Sequence, residues 1–297
     1  MKPGPRKNFA ASVRQRLLDL SRQRGEDFQF ILSRYTAERL LYRLGVSAHR
    51  ERFVLKGALL FVLWKGQPHR ATRDLDLLGF GDSDSTGLVV AFSDVCGTAV
   101  EDDGLVFLAE TVAGANIRED QEYGGVRLNF VAMLERARIP MQVDIGFGDA
   151  ITPDAIWCDY PTLLDAPPPH LRAYPRETVV AEKLEAIVSL GMANSRMKDF
   201  YDLIVLAHEF EFGGAQLAAA IRATFHRRQT GLPTERPLGL SEDFAVDTSK
   251  RTQWSAFRRR QFITDAPAEL TDAVTLVRAF VEPVLMAAAA EKEYLSN

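Results

Sequence analysis

Residues 73–80 read RDLDLLGF. Charge and leucine alternate there at a period of two, the pattern of a strand with one face in a core and the other turned out. Upstream, residues 53–66 read FVLKGALLFVLWKG, apolar almost throughout, and this run predicts a buried helix leading into that strand. Further strands are expected over 105–108, 111–117, 126–133 and 141–147, with Gly124-Gly125 as a turn and antiparallel pairing in part. Two helical patterns come first, Val13 to Leu20 stopped by Gly25 and Phe28 to Leu44 stopped by Gly45. Together these read as α+β, a mixed sheet with helices alongside.

After Phe147 the chain passes through a turn-rich segment ending in Ala166-Pro167-Pro168-Pro169, which resists regular structure. A domain boundary is expected there, giving N-terminal helices plus a sheet domain over 1–166 and a helical domain over 167–297. Helices are expected over 178–190, 198–208, 214–228 and 242–263, with an alanine-rich one from Ala268 to about Glu293.

Of the 297 residues, 46% are hydrophobic and 26% charged, the balance of a soluble globular chain rather than a disordered or collagenous one. Cys96 and Cys158 are too few for a zinc ribbon or a disulfide framework, so a reducing cytoplasm is expected. No stretch looks close to the roughly 18 apolar residues of a membrane span, and no membrane partner is expected. With a net charge of -4, any contact with a polyanion must come from a local patch.

Asp74 and Asp76 lie two apart on the expected strand, so both carboxylates point one way while Leu75 and Leu77 point to the core. Such a pair is either a solvated strand face or a site for a hard divalent cation such as Mg²⁺, which relieves the repulsion and prefers oxygen ligands. In MQVDIGF, residues 141–147, Asp144 stands on the polar side of a second strand. Three carboxylates converge if the two strands are neighbours, as metal-assisted phosphoryl transfer requires, with Asp144 as metal ligand and proton acceptor. Lys56-Gly57-Ala58, at the head of the apolar helix, either packs or cradles phosphate on free backbone N–H groups. Thr72, with Arg70 and Arg73, either contacts the nucleotide or lines the strand entry.

In order along the chain, LKGALLFVLWKG, RATRDLDLLG, QVDIGFGD, AEKLEAI and RMKDFYDL resemble the motifs of the AbiEii/AbiGii toxin family of nucleotidyltransferases over residues 53–206. The resemblance implies a polymerase β-type nucleotidyltransferase lobe followed by a helical lobe. It also implies an NTP substrate and Mg²⁺, or Mn²⁺ in its place. The implied activity, in some members, is on the 3′ acceptor end of tRNA, arresting growth until an antitoxin neutralises it. By position, Gly57 and Ala58 match the family's phosphate turn, where Ala58 lacks the hydroxyl of a serine. Asp74 and Asp76 match its metal pair, Asp144 its third carboxylate, Lys183 its helical lysine, and Lys198, Asp199 and Asp202 its final K-D-x-x-D.

Lys183 falls on the apolar stripe of its helix, so it either pairs with a carboxylate such as Asp199 or binds the β/γ-phosphates. Asp199 is either a catalytic acid or a first-turn residue favoured by the helix dipole, and Asp202 a partner for Lys198 or Arg196. An RNA acceptor would dock on Arg222, Arg227 and Arg228, then on Arg258, Arg259 and Arg260, with Trp254 and Phe257 read as core. The expected function is a cytoplasmic, toxin-like nucleotidyltransferase acting on tRNA. Two alternatives stand beside it, a small-molecule nucleotidyltransferase of the antibiotic-modifying kind and a catalytically silent protein that binds nucleotide or antitoxin.

Overall fold

The computed structural model describes residues 9–72, 74–117 and 124–295, so Arg73 lies outside the described residues. Two helices, α1 (Phe9–Arg24) and α2 (Phe28–Val46), lead into β1 (Phe53–Lys56), a 3-10 turn at Gly57–Leu59, α3 (Leu60–Lys65), β2 (Asp74–Gly79) and α4 (Ser85–Gly97). Long strands β3 (Leu105–Ile117), β4 (Gly125–Leu134) and β5 (Ala137–Phe147) follow, then short β6 (Ile156–Asp159) and β7 (His170–Ala173). They form one sheet in the order β3-β4-β5-β2-β1-β7-β6. It is mixed, since β2 runs parallel to β5 and β1 parallel to β7 while the other pairs are antiparallel.

The expected helix over 53–66 begins instead as the strand β1. Val54 and Leu55 are both fully buried, so this central strand is covered on both faces and shows no alternation to read. Gly45 does not stop α2, which runs on to Val46. A Cβ at Gly45 would lie 2.5 Å from the His170 carbonyl oxygen, so this glycine serves close approach of helix to strand.

By internal contacts the chain divides into two units, Met1–Gly148 with Ile156–Ala173, and Asp149–Ala155 with Tyr174–Asn297. The expected break after Ala166 falls inside the first unit, because the prolines are followed by β7, which hydrogen-bonds into the sheet beside β1. Residues 149–155 belong to the second unit, where the Thr152 N–H donates to Thr178 Oγ1 and the Thr178 hydroxyl donates back to the Thr152 carbonyl, both at 2.9 Å.

The second unit holds α5 (Arg176–Leu190), α6 (Met197–Glu209), α7 (Gly214–Arg227), α8 (Glu242–Val246), α9 (Thr248–Gln261) and α10 (Leu270–Leu295). The single helix expected over 242–263 is two, because Asp247 leaves the helical conformation and its carboxylate caps α9 by accepting from the Lys250 N–H. Contrary to expectation, one segment, Leu270–Ala290 of α10, is long and apolar enough to cross a membrane. Val274, Val277, Val281 and Leu285 form its buried stripe, and the helix packs against α6 and α7. Burial pushes the Cys158 thiol up to about 11 and the Cys96 thiol to about 12, so both stay protonated at neutral pH.

Candidate active site

Parallel pairing of β2 with β5 sets Asp74 opposite Gln142 and Asp76 opposite Asp144. Residues in register on adjacent strands point to the same face, so the three aspartates share one face while Leu75, Leu77, Val143 and Ile145 go to the core on the other. Asp74 is exposed and Asp76 and Asp144 are half-buried. On the other flank β1 places Lys56 opposite Asp76. The next residue, Gly57, has φ 77, and a Cβ there would sit 2.7 Å from Asp76 Cγ. Both observations require glycine: an L side chain would be strained, and it would displace the carboxylate. Ala58 is buried, and the Thr72 hydroxyl donates to the Asp74 carbonyl at 3.4 Å.

A residue that sequence reasoning passed over completes the strip. Arg127 on β4 stands in register with Asp144, donating from Nε to Oδ1 at 2.8 Å and from Nη2 to Oδ2 at 2.7 Å. The Asp144 hydrogen bond raises the guanidinium above its ordinary value, and the charges of Asp74 and Asp76 add to the effect. Arg127 is thus a cation held among three carboxylates. Their all-oxygen donor set suits a hard divalent ion. Among the described residues, however, no three His, Cys, Asp or Glu side chains are grouped to hold a metal, and both Asp144 oxygens face Arg127. The oxygens of Asp74 and Asp76 have the chemistry Mg²⁺ prefers, while Asp144 is committed to the guanidinium, so Arg127 stands as a competitor for any ion bound there. Arg127→Met should accordingly tighten Mg²⁺ binding about tenfold, or about 1.4 kcal/mol, in titration calorimetry; unchanged or weaker binding would show that Arg127 supports the ion rather than competing with it.

In the second unit, Lys183 of α5 donates to Asp199 at 2.9 Å and to Asp202 at 2.6 Å, and Arg196 donates to Asp199 at 2.6 Å. Both aspartates, on one side of α6, are fully buried. Asp202 therefore pairs with Lys183, and Arg196 takes Asp199 instead. Burial would raise the Asp199 carboxyl, but the Lys183 ammonium and the Arg196 guanidinium outweigh it and hold it below the ordinary range. Lys198, in the first turn of α6, is exposed.

Of the arginines expected to dock RNA, Arg227 is exposed and Arg222 half-buried on α7. Arg228 is differently placed: its side chain, 18% exposed, pairs with Glu185 at 2.8 Å, Asp149 at 2.9 Å and Glu182 at 3.6 Å. That network takes Arg228 off the surface and makes it a brace within the second unit. On α9, Arg258 donates to the Ala268 carbonyl at 3.3 Å while Arg259 and Arg260 are exposed. Trp254 is 1% exposed and donates to the Pro267 carbonyl at 3.1 Å, as a core residue does.

The family model described as the nucleotidyl transferase AbiEii toxin of type IV toxin–antitoxin systems matches residues 39–280. That span includes the aspartate strip and the lysine–aspartate cluster. A search of curated proteins finds no significant match. Among solved structures, a Helicobacter pylori protein assigned as a nucleotidyltransferase is 15% identical with a TM-score of 0.47, over 91% of this chain and 98% of its own. JHP933 from Helicobacter pylori is 15% identical at the same TM-score, over 87% of this chain and 93% of its own. With most of its length matched by one family model, the chain belongs to the AbiEii nucleotidyltransferase toxin family.

Proposed function

We propose that this chain transfers a nucleoside monophosphate from an NTP to a hydroxyl at the 3′ end of tRNA in the cytoplasm, blocking translation until a cognate antitoxin intervenes. The observation that carries the reading is the β2–β5 register, which sets Asp76 beside Asp144 with Asp74 on the same face. In the reaction the acceptor oxygen attacks the α-phosphorus. A new O–P bond forms, the bond to the bridging oxygen toward the β-phosphorus breaks, and pyrophosphate leaves with that electron pair. Asp144 takes the acceptor's proton. Asp74, Asp76 and Asp144 would hold Mg²⁺ or Mn²⁺, which supplies charge neutralisation at the triphosphate and a more acidic acceptor hydroxyl.

The turn at Lys56, Gly57 and Ala58 offers backbone N–H groups to the triphosphate, and Thr72 contacts the nucleotide. Lys183 and Lys198, in the second unit, bring cations for phosphate groups. Asp199 fixes Lys183. Arg222, Arg227, Arg258, Arg259 and Arg260 supply charge for the RNA backbone.

Purified protein incubated with total RNA and each labelled NTP, with and without Mg²⁺, tests the proposal. Label should enter tRNA from one or a few NTPs and only with the metal. Label in a small metabolite would support the antibiotic-type alternative, and no incorporation at all the silent one.

A further inference from the structure

The turn that closes α9 carries an aromatic ring, that of Phe262, which neither the packing nor the proposed chemistry uses. The helix closes through Arg258-Arg259-Arg260-Gln261, and the chain then turns at Phe262 with φ 53. The Phe262 N–H donates to the Arg259 carbonyl at 3.3 Å and the Ile263 N–H to the Arg258 carbonyl at 3.0 Å. This paired closure puts its left-handed residue just past the helix end, a position glycine or asparagine usually fills. Here a phenylalanine fills it, with 89% of its surface exposed. The other non-glycine residues at positive φ among the described ones, Glu135 and Gln229, are polar.

A bulky side chain is disfavoured in this conformation, and one this exposed recovers nothing by packing. Glycine would serve the turn better. The surroundings are cationic: α9 contains no Asp or Glu, and Arg259 and Arg260 are exposed with no ion-pair partner among the described residues. The two carboxylates that follow are engaged, Asp265 by the Tyr201 hydroxyl at 2.9 Å and Glu269 by Arg251 at 3.2 Å. Cations in a last turn are favoured by the helix dipole, which accounts for the arginines but not for the ring beyond them. An acidic peptide would engage the guanidinium groups and leave the ring idle. An unpaired base with its phosphates uses both, stacking on the aromatic face while the cations meet the backbone.

We propose that Phe262, flanked by Arg259 and Arg260, is a stacking platform for an unpaired base of single-stranded RNA. The proposal deepens the RNA-acceptor reading above and rests on it for the choice of RNA.

Fluorescence anisotropy with a 5′-fluorescein-labelled single-stranded 12-nucleotide oligoadenylate tests it. Phe262→Gly should bind about tenfold more weakly while its melting temperature stays level or rises. Phe262→Trp should bind at least as tightly as the parent. The Arg259→Ala/Arg260→Ala variant should bind more weakly and lose about 1.4 from the slope of log affinity against log salt. Binding by Phe262→Gly within twofold of the parent would overturn the platform while leaving the RNA reading intact. An equal loss on a blunt RNA duplex of the same length would also overturn it, since a duplex offers no unpaired base. A parent protein that binds no RNA would overturn both.

Discussion

Asp76→Asn should lower nucleotide transfer by on the order of 10²–10³-fold, the loss expected when one preorganised electrostatic group is removed from a reacting centre. Asp76 is the central member of the strip, with Asp144 opposite on one flank and Lys56 on the other. Asparagine keeps the shape that Gly57 makes room for and removes only the charge, so the urea unfolding midpoint should barely move. Transfer rates from labelled NTP, measured beside that midpoint, separate chemistry from folding. Activity within a few-fold of the parent would remove Asp76 from the centre. Loss of transfer with growth arrest retained would instead assign the arrest to binding.

Lys183→Met should destabilise the protein by about 3–5 kcal/mol at pH 8, because it takes the ammonium from two fully buried carboxylates, of which Asp199 keeps Arg196 and Asp202 faces a hydrocarbon chain instead. The sign with pH follows from linkage. In the parent the Asp199 carboxyl lies below its ordinary 3.8, so its contribution is present above that pH and is lost as the pH falls through the lowered folded value. Without the ammonium the lowering is left to Arg196, so the Asp199 folded value moves up from its position in the parent and the variant loses less stability on acidification. The gap between parent and variant in urea unfolding should therefore narrow as the pH falls from 8 into the range where the Asp199 carboxyl of the parent is protonated. A constant gap, or one under about 1 kcal/mol, would mean that water reaches the cluster once the lysine is gone.

What the sequence made legible tracks where a pattern has a single physical cause. DLDLLG alternates because one face of β2 is buried beneath the aspartates, and MQVDIGF alternates for the same reason on β5. FVLK of β1 was not legible as a strand, since burial on both faces erases the period that separates strand from helix. The four-residue edge strand β6 reads as loop because Ile156 and Trp157 are exposed and leave no periodic core face, and β7 does because its buried alternation is only Leu171 and Ala173. Arg127 escaped for a related reason. An arginine on the polar side of a strand looks like solvent surface until the register with Asp144 is known, and register is a property of two strands. The helical period put Lys183 on the apolar stripe and left its partner open. The fully buried Asp202 cannot be told from a surface acid by spacing alone.

The excursion of residues 149–155 into the second unit also bears on how the chain is made and taken apart. On the ribosome, Asp149 and Thr152 emerge before their partners Arg228 and Thr178, so this segment waits unsatisfied while β6 and β7 complete the sheet. Scission at one peptide bond releases neither unit whole. A cut after Gly148 strips the first of two strands, and a cut after Ala173 leaves Arg228 without one of its carboxylates.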